Sequence, residues 1–180
     1  MSSLSQPSLV FAIVVVPTPN VAEVDEIDKV VESGTSVCVT GLSWTGKSVL
    51  ALDLYKRFCI KHGNEQVSLL TLSKARAMCL EGATTMFSFG GICLSVDETY
   101  DVPAFITNIK KSLTWRRNWE NAKILIFDDA FLISRATMDC VDLVAKDLRN
   151  SWSSPFGGIR IVSSFLSSSS PICISVSICI

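Results

Sequence analysis

Ser36-Val-Cys-Val-Thr-Gly-Leu-Ser-Trp-Thr-Gly-Lys-Ser48 is the stretch that decides the fold. Its first five residues are mostly β-branched and lie between Gly34 and Gly41, which predicts a short buried strand. Gly41-Leu-Ser-Trp-Thr-Gly46-Lys47-Ser48 then satisfies the pattern G-x-x-x-x-G-K-[ST]. Val49, Leu50, Leu52, Leu54, Tyr55 and Phe58 follow at spacings that suit a helix ending near His62-Gly63. A glycine-bounded loop between a strand and a helix is where backbone N–H groups at a helix N-terminus surround phosphate oxygens. In that setting Gly41, Thr45, Gly46, Lys47 and Ser48 form the ligand-binding set, Lys47 reaching the β and γ oxygens and the Ser48 hydroxyl ligating Mg²⁺. Trp44 is bulky in a loop where small residues leave the backbone free to approach phosphate.

Outward from this loop, Ala22, Val24, Ile27, Val30 and Val31 recur at helical spacing and stop at Ser33-Gly34. Residues 66–72 and 123–127 predict a second and a third strand, the latter so apolar that it must be covered on both faces. A helix over 138–148 and a fourth strand over 159–162, after the Pro155-Phe-Gly-Gly158 turn, complete the alternation. Strands alternating with helices predict an α/β domain with a mostly parallel sheet and helices on both faces. Ligands collect at the carboxyl ends of such strands, so Asp128-Asp129, directly after Ile124-Leu-Ile-Phe127, emerge beside the loop. There Asp128 would hold Mg²⁺ through water, and Asp129 would orient or deprotonate an attacking water.

The chain has 180 residues, enough for one ordinary domain. With 48% hydrophobic and 18% charged residues, it is not a disordered polypeptide. Sixteen Lys and Arg against 17 Asp and Glu exclude a globally basic nucleic-acid binder, so any such contact is local. Seven scattered cysteines without C-x-x-C spacing point to reduced thiols inside the cell. His62, the one histidine, excludes multi-histidine metal sites and reads as a helix-end residue. The apolar run from Leu9 to Val16 is shorter than the about 20 residues that span a bilayer. It also lacks the basic flank of a secretory signal, so residues 1–20 form a leader or a buried strand. Residues 163–180 carry no charge and read as a β-prone tail outside a domain of 21–162.

Two further segments carry a family resemblance. Thr71-Leu-Ser73 with Gly82-Ala-Thr-Thr-Met-Phe-Ser-Phe-Gly-Gly-Ile92 resembles the T-A-S…G-x-T-T-h-H-S-F-x-G-I segment of Pif-one-type DNA helicases, relatives of RecD in superfamily one. Pro155-Phe-Gly-Gly-Ile-Arg-Ile-Val162 is similar to that family's P-F-G-G-I-Q-h-h stretch. The resemblance implies a RecA-like first motor lobe that hydrolyses ATP with Mg²⁺ and tracks single-stranded DNA from five-prime to three-prime. It implies a nuclear or mitochondrial setting for a eukaryotic member; no membrane partner is expected, and the oligomeric state is left unassigned. By the same resemblance Thr71, Ser73, Thr84, Thr85 and Ser88 lie along DNA. Hydroxyls at strand ends can donate to phosphates, and Phe87 or Phe89 can offer a stacking face. From the residues alone, Phe89 is core and Thr84-Thr85 a helix start. Lys110, Lys111, Arg116 and Arg117 with Trp115 and Trp119 read as a solvated helix face or a nucleic-acid contact.

The sequence also departs from the family pattern. Val24 stands where an adenine-reading glutamine is usual, Asp128-Asp129 replaces Asp-Glu, and Phe87 replaces histidine. Lys74 and Ala75 replace Thr and Gly, and after Val162 the G-D-F-x-Q-L-P motif is replaced by Ser163-Ser-Phe-Leu166. The second motor lobe is not in these residues, which reads as a truncated helicase. The competing expectations are a non-catalytic nucleotide-binding remnant and an unrelated small P-loop kinase or GTPase.

Overall fold

The computed structural model describes residues 11–15, 21–42, 45–93 and 101–166. In chain order the elements are β1 (Phe11–Val15), α1 (Val21–Glu32), β2 (Ser36–Gly41), α2 (Lys47–His62), β3 (Val67–Thr71), α3 (Lys74–Cys79) and β4 (Ala83–Thr85). Then come α4 (Met86–Gly90), α5 (Val102–Lys111), α6 (Leu113–Asn121), β5 (Ile124–Phe127), α7 (Arg135–Leu148) and β6 (Arg160–Leu166). Short 3-10 turns lie at Ala130–Leu132 and Pro155–Gly158. The six strands form one sheet in the order β1-β2-β6-β5-β3-β4, and every pairing is parallel.

The sheet is covered on both sides because its central strands alternate apolar residues between two layers. In β5, Ile124 and Ile126 join Val37, Val39, Leu69 and Val162 under α1 and α2. Leu125 and Phe127 face the opposite way, into a layer with Leu70, Ile161, Trp119 of α6 and Val141 and Val144 of α7. Period-two alternation thus fixes which helices sit on which face.

α1 is held on α2 by paired charges: Lys61 meets Asp28 at 2.6 Å and Arg57 meets Asp25 at 2.7 Å. His62 Nε2 lies 2.8 Å from Glu32 Oε1, joining the ends of the two helices. Val24 is buried in the layer beneath α1, where an apolar side chain serves packing.

The domain boundaries expected from sequence move outward at both ends. Phe11–Val15 pairs with β2 as the edge strand, so the sheet begins before Val21. The fourth strand runs past Val162 to Leu166, pairing with β2 on one side and β5 on the other. Ser163 and Ser164 are therefore buried sheet residues and not the start of a loose tail. Low charge could not separate the two, because a central strand and a sticky tail share that composition. Residues 167–180, with Cys173 and Cys179, lie outside the described residues. No described helix is long and apolar enough to cross a membrane.

Candidate nucleotide site

β2 ends at Gly41 and α2 begins at Lys47, so the loop between them opens at the carboxyl edge of the sheet. Gly46 supplies the turn into the helix at φ 84°, a left-handed conformation that a Cβ would strain. Gly46, the residue before α2, brings no capping side chain to the first N–H groups of the helix. Thr45 braces the loop by donating from Oγ1 to the Leu42 carbonyl at 2.8 Å. Ser43 and Trp44 lie outside the described residues.

Lys47 is 9% exposed, and its Nζ donates to the Gly41 and Leu42 carbonyls at 3.0 and 2.5 Å. The ammonium is thereby held against the end of β2. Burial lowers its pKa from the ordinary 10.5, while Asp129 and Asp128 oppose that shift.

Asp128 follows the last residue of β5 and continues the parity of Ile124 and Ile126, so its side chain rises on the α2 side of the sheet. Its backbone N–H donates to Leu70 O at 2.9 Å, extending the ladder by one residue. The carboxylate is 1% exposed, and Oδ1 accepts from Ser48 Oγ at 2.8 Å. Asp129 adopts φ 58° and turns the chain away, its N–H held by Ser164 Oγ at 3.0 Å. Burial raises the Asp129 carboxyl above its ordinary value of 3.8, and Asp128 pushes the same way, with Arg76 and Lys47 opposing.

Lys47, Ser48, Asp128 and Asp129 therefore lie together at this edge of the sheet. Two participants escaped the sequence reading. Ser164, in the uncharged segment that reads as a tail, supports the Asp129 turn and lies 3.5 Å from Asp128 Oδ1. Arg76 of α3 places Nε 2.9 Å from Asp128 Oδ2 and 3.4 Å from Asp129 Oδ2, and its Nη2 donates to Ser48 Oγ. A single arginine in Lys74-Ala-Arg-Ala77 has no local signal; only the adjacency of β3 and β5 carries it to the site.

The segment expected along DNA is split by burial. Thr71 is 0% exposed, and its hydroxyl donates to Ser73 O at 3.1 Å. This corrects its assignment as a DNA contact: a side chain sealed under the sheet edge orders the β3–α3 turn instead. Ser73 is exposed and caps α3 by accepting from Arg76 N at 3.1 Å. Thr85 caps α4, accepting from Ser88 N at 3.1 Å, while Thr84 pairs with Leu70 in the sheet. Phe89 is core, stacking edge-on against Trp119 at 5.1 Å, and Phe87 stays half exposed beside Trp115. The tryptophans of the basic-aromatic stretch thus pack inward on α4. Lys110 pairs with Asp147 at 2.6 Å and Arg116 with Glu120 at 3.0 Å.

Known proteins resemble this chain over most of its length. The model of the PIF1-like helicase family matches residues 21–165. The ATP-dependent DNA helicase PIF1 of Emericella nidulans is 34% identical over 134 residues, 74% of this chain and 17% of that protein. PIF1 of Saccharomyces cerevisiae is 31% identical over 140 residues, 78% of this chain and 16% of that protein. The chain thus spans about a sixth of the length of these curated relatives. Among solved structures, Pif1 helicase from Candida albicans superposes with a TM-score of 0.71 at 29% identity, covering 82% of this chain and 32% of that one. Bacteroides Pif1 in complex with ADP-AlF4 shares the fold, with a TM-score of 0.61 at 18% identity, over 82% of this chain and 33% of that one.

Proposed function

The chain belongs to the PIF1-like helicase family, and from that premise we propose that it is the nucleotide-binding lobe of an ATP-driven DNA helicase. The observation that carries the reading is the meeting of Lys47 and Ser48, at the head of α2, with Asp128 and Asp129, at the end of β5. Backbone N–H groups of the loop, with Thr45, Gly46 and Lys47, take the phosphates of ATP. Gly41 allows close approach, and Lys47 exchanges its two loop carbonyls for β and γ oxygens as a charge-assisted contact. Asp129, with its raised proton affinity, is suited to hold a proton from an attacking water.

Mg²⁺, when bound, neutralises phosphate charge, and a hydroxyl with a carboxylate is the hard oxygen pair it takes. Ser48 and Asp128 supply that pair, but Arg76 rests on both. The donors do not fit a divalent cation while the guanidinium stays there, so the reading rests on the chain's own cations. That same contact favours a second reading, a lobe that binds nucleotide and turns it over poorly.

Single-stranded DNA is the proposed partner at the β3–α3 and β4–α4 edge. Exposed Ser73 and Ser88 and half-buried Thr84 and Thr85 offer hydroxyls to phosphates, and Phe87 offers a stacking face. The setting proposed is intracellular, nuclear or mitochondrial, with five described cysteines free as thiols.

Calorimetric titration of ATP into the chain and into Lys47→Ala tests the reading. The variant should keep its fold and lose about tenfold or more in affinity, because one charge-assisted contact is removed. Equal binding by both proteins would remove the loop from the site.

A further inference from the structure

We propose that Arg76 occupies the divalent-cation position of the phosphate loop, so that this chain takes up nucleotide without a metal ion. The proposal rests on the nucleotide-binding reading of residues 41–48 and specifies which cation completes that site.

Asp128 Oδ1 accepts from Ser48 Oγ at 2.8 Å and Oδ2 accepts from Arg76 Nε at 2.9 Å, so both oxygens of a carboxylate only 1% exposed are engaged. The Ser48 hydroxyl donates to Asp128 and accepts from Arg76 Nη2, which leaves it one lone pair. A metal ion on the remaining lone pair of Ser48 would sit directly beside the guanidinium, and two cations sharing that space repel strongly at low local dielectric. Asp129 Oδ2, 3.4 Å from Nε, gives the guanidinium a second carboxylate and so a further hold on the position.

Arg76 suits this task chemically. Its planar fork satisfies a carboxylate and a hydroxyl at once, a geometry that a single ammonium does not offer. Its backbone is fixed by the Ser73 cap at 3.1 Å. The side chain remains 38% exposed, so the face turned from Asp128 is open to a phosphate. Lys47 and Arg76 together bring two positive charges to the loop, one fewer than a lysine with Mg²⁺ would bring.

Titration of a fluorescent ADP analogue, once in EDTA and once in excess Mg²⁺, tests the idea on the wild-type chain, Arg76→Gln and Lys47→Ala. Wild-type affinity should agree within about threefold between the two conditions, whereas Arg76→Gln should weaken by about tenfold in EDTA and recover in Mg²⁺. A wild-type affinity that rises about tenfold or more with Mg²⁺, or an Arg76→Gln variant equally indifferent to it, overturns the proposal. If Lys47→Ala binds as well as wild type, the phosphate-loop reading itself fails and the proposal falls with it. Lys47→Ala losing binding while Arg76→Gln changes nothing rejects the Arg76 role alone. Mn²⁺ resonance on the wild-type chain needs no variant: with ADP present, the free Mn²⁺ signal should fall no further than ADP alone makes it fall. Additional depletion by the protein would place a metal where Arg76 is assigned.

Discussion

Ser48 and Asp128, 80 residues apart in the chain, share a hydrogen bond of 2.8 Å that joins the head of α2 to the end of β5. Because Arg76 leans on both, removing the carboxylate leaves the Ser48 hydroxyl and the guanidinium without their shared buried partner. Asp128→Ala should cost about 2 kcal/mol, below the usual loss for a broken buried pair because Arg76 is partly solvated. Ser48→Ala, which leaves the Arg76–Asp128 pair intact, should cost under about 1 kcal/mol. Urea unfolding followed by tryptophan fluorescence checks both, and equal costs would contradict the described contacts.

Asp129 works against folding at neutral pH. Its native carboxyl binds a proton more tightly than the unfolded one, so its favourable contribution is complete below 3.8 and is lost as pH rises through the higher native value. Asp129→Asn should remove that loss. Asparagine also tolerates the φ of 58° held here. The variant is therefore expected to match or exceed wild-type stability at pH 7, with a flatter decline above the ordinary carboxylate range. Urea midpoints measured from pH 4 to 7 would reject the assignment if the variant lost stability only at the alkaline end.

Arg149 closes the far end of the fold. Nη1 donates to the carbonyls of Trp119, Glu120 and Ala122 at 3.1, 2.8 and 2.9 Å, and Nε donates to Gly157 at 2.8 Å. It ties the C-terminus of α6, where a cation is favoured, to the turn that feeds β6. That turn places Phe156 and Gly157 at φ 49° and 59°, with Phe156 N held by Asp142 Oδ1 at 2.6 Å. Arg149→Ala should lower stability by about 2–3 kcal/mol, and Arg149→Lys should recover less than half, since an ammonium cannot span the same carbonyls. A full recovery by lysine, read from thermal and urea unfolding, would mean that charge alone matters.

Burial pushes the thiols of Cys38 and Cys140 up to about 11, the former inside β2 and the latter inside α7. Cys79, at the exposed end of α3, should be alkylated at pH 8 well before either of them. Peptide mapping after timed iodoacetamide treatment gives the order; early labelling of Cys140 would mean that α7 opens in the native state.

Much of the molecule was decided locally. The strand-loop-helix of residues 36–62 is legible because its glycines, its β-branched run and its apolar spacing are each a short-range steric requirement. The all-apolar Ile124-Leu-Ile-Phe127 announces a strand covered on both faces for the same reason. Those features, with Asp128-Asp129 placed at a strand end, are enough to fix an α/β sheet and the edge that carries the site. What the chain order could not say is which strands become neighbours. Pairing of β3 with β5 brings Arg76 onto Asp128, and insertion of β6 between β2 and β5 turns Ser163 and Ser164 from an uncharged tail into buried sheet residues, with Ser164 holding the Asp129 N–H. Burial likewise moved Thr71 from a DNA edge to the interior. A short-range signal cannot carry such facts, because they depend on hydrogen bonds and desolvation between segments that meet only when the whole sheet has closed.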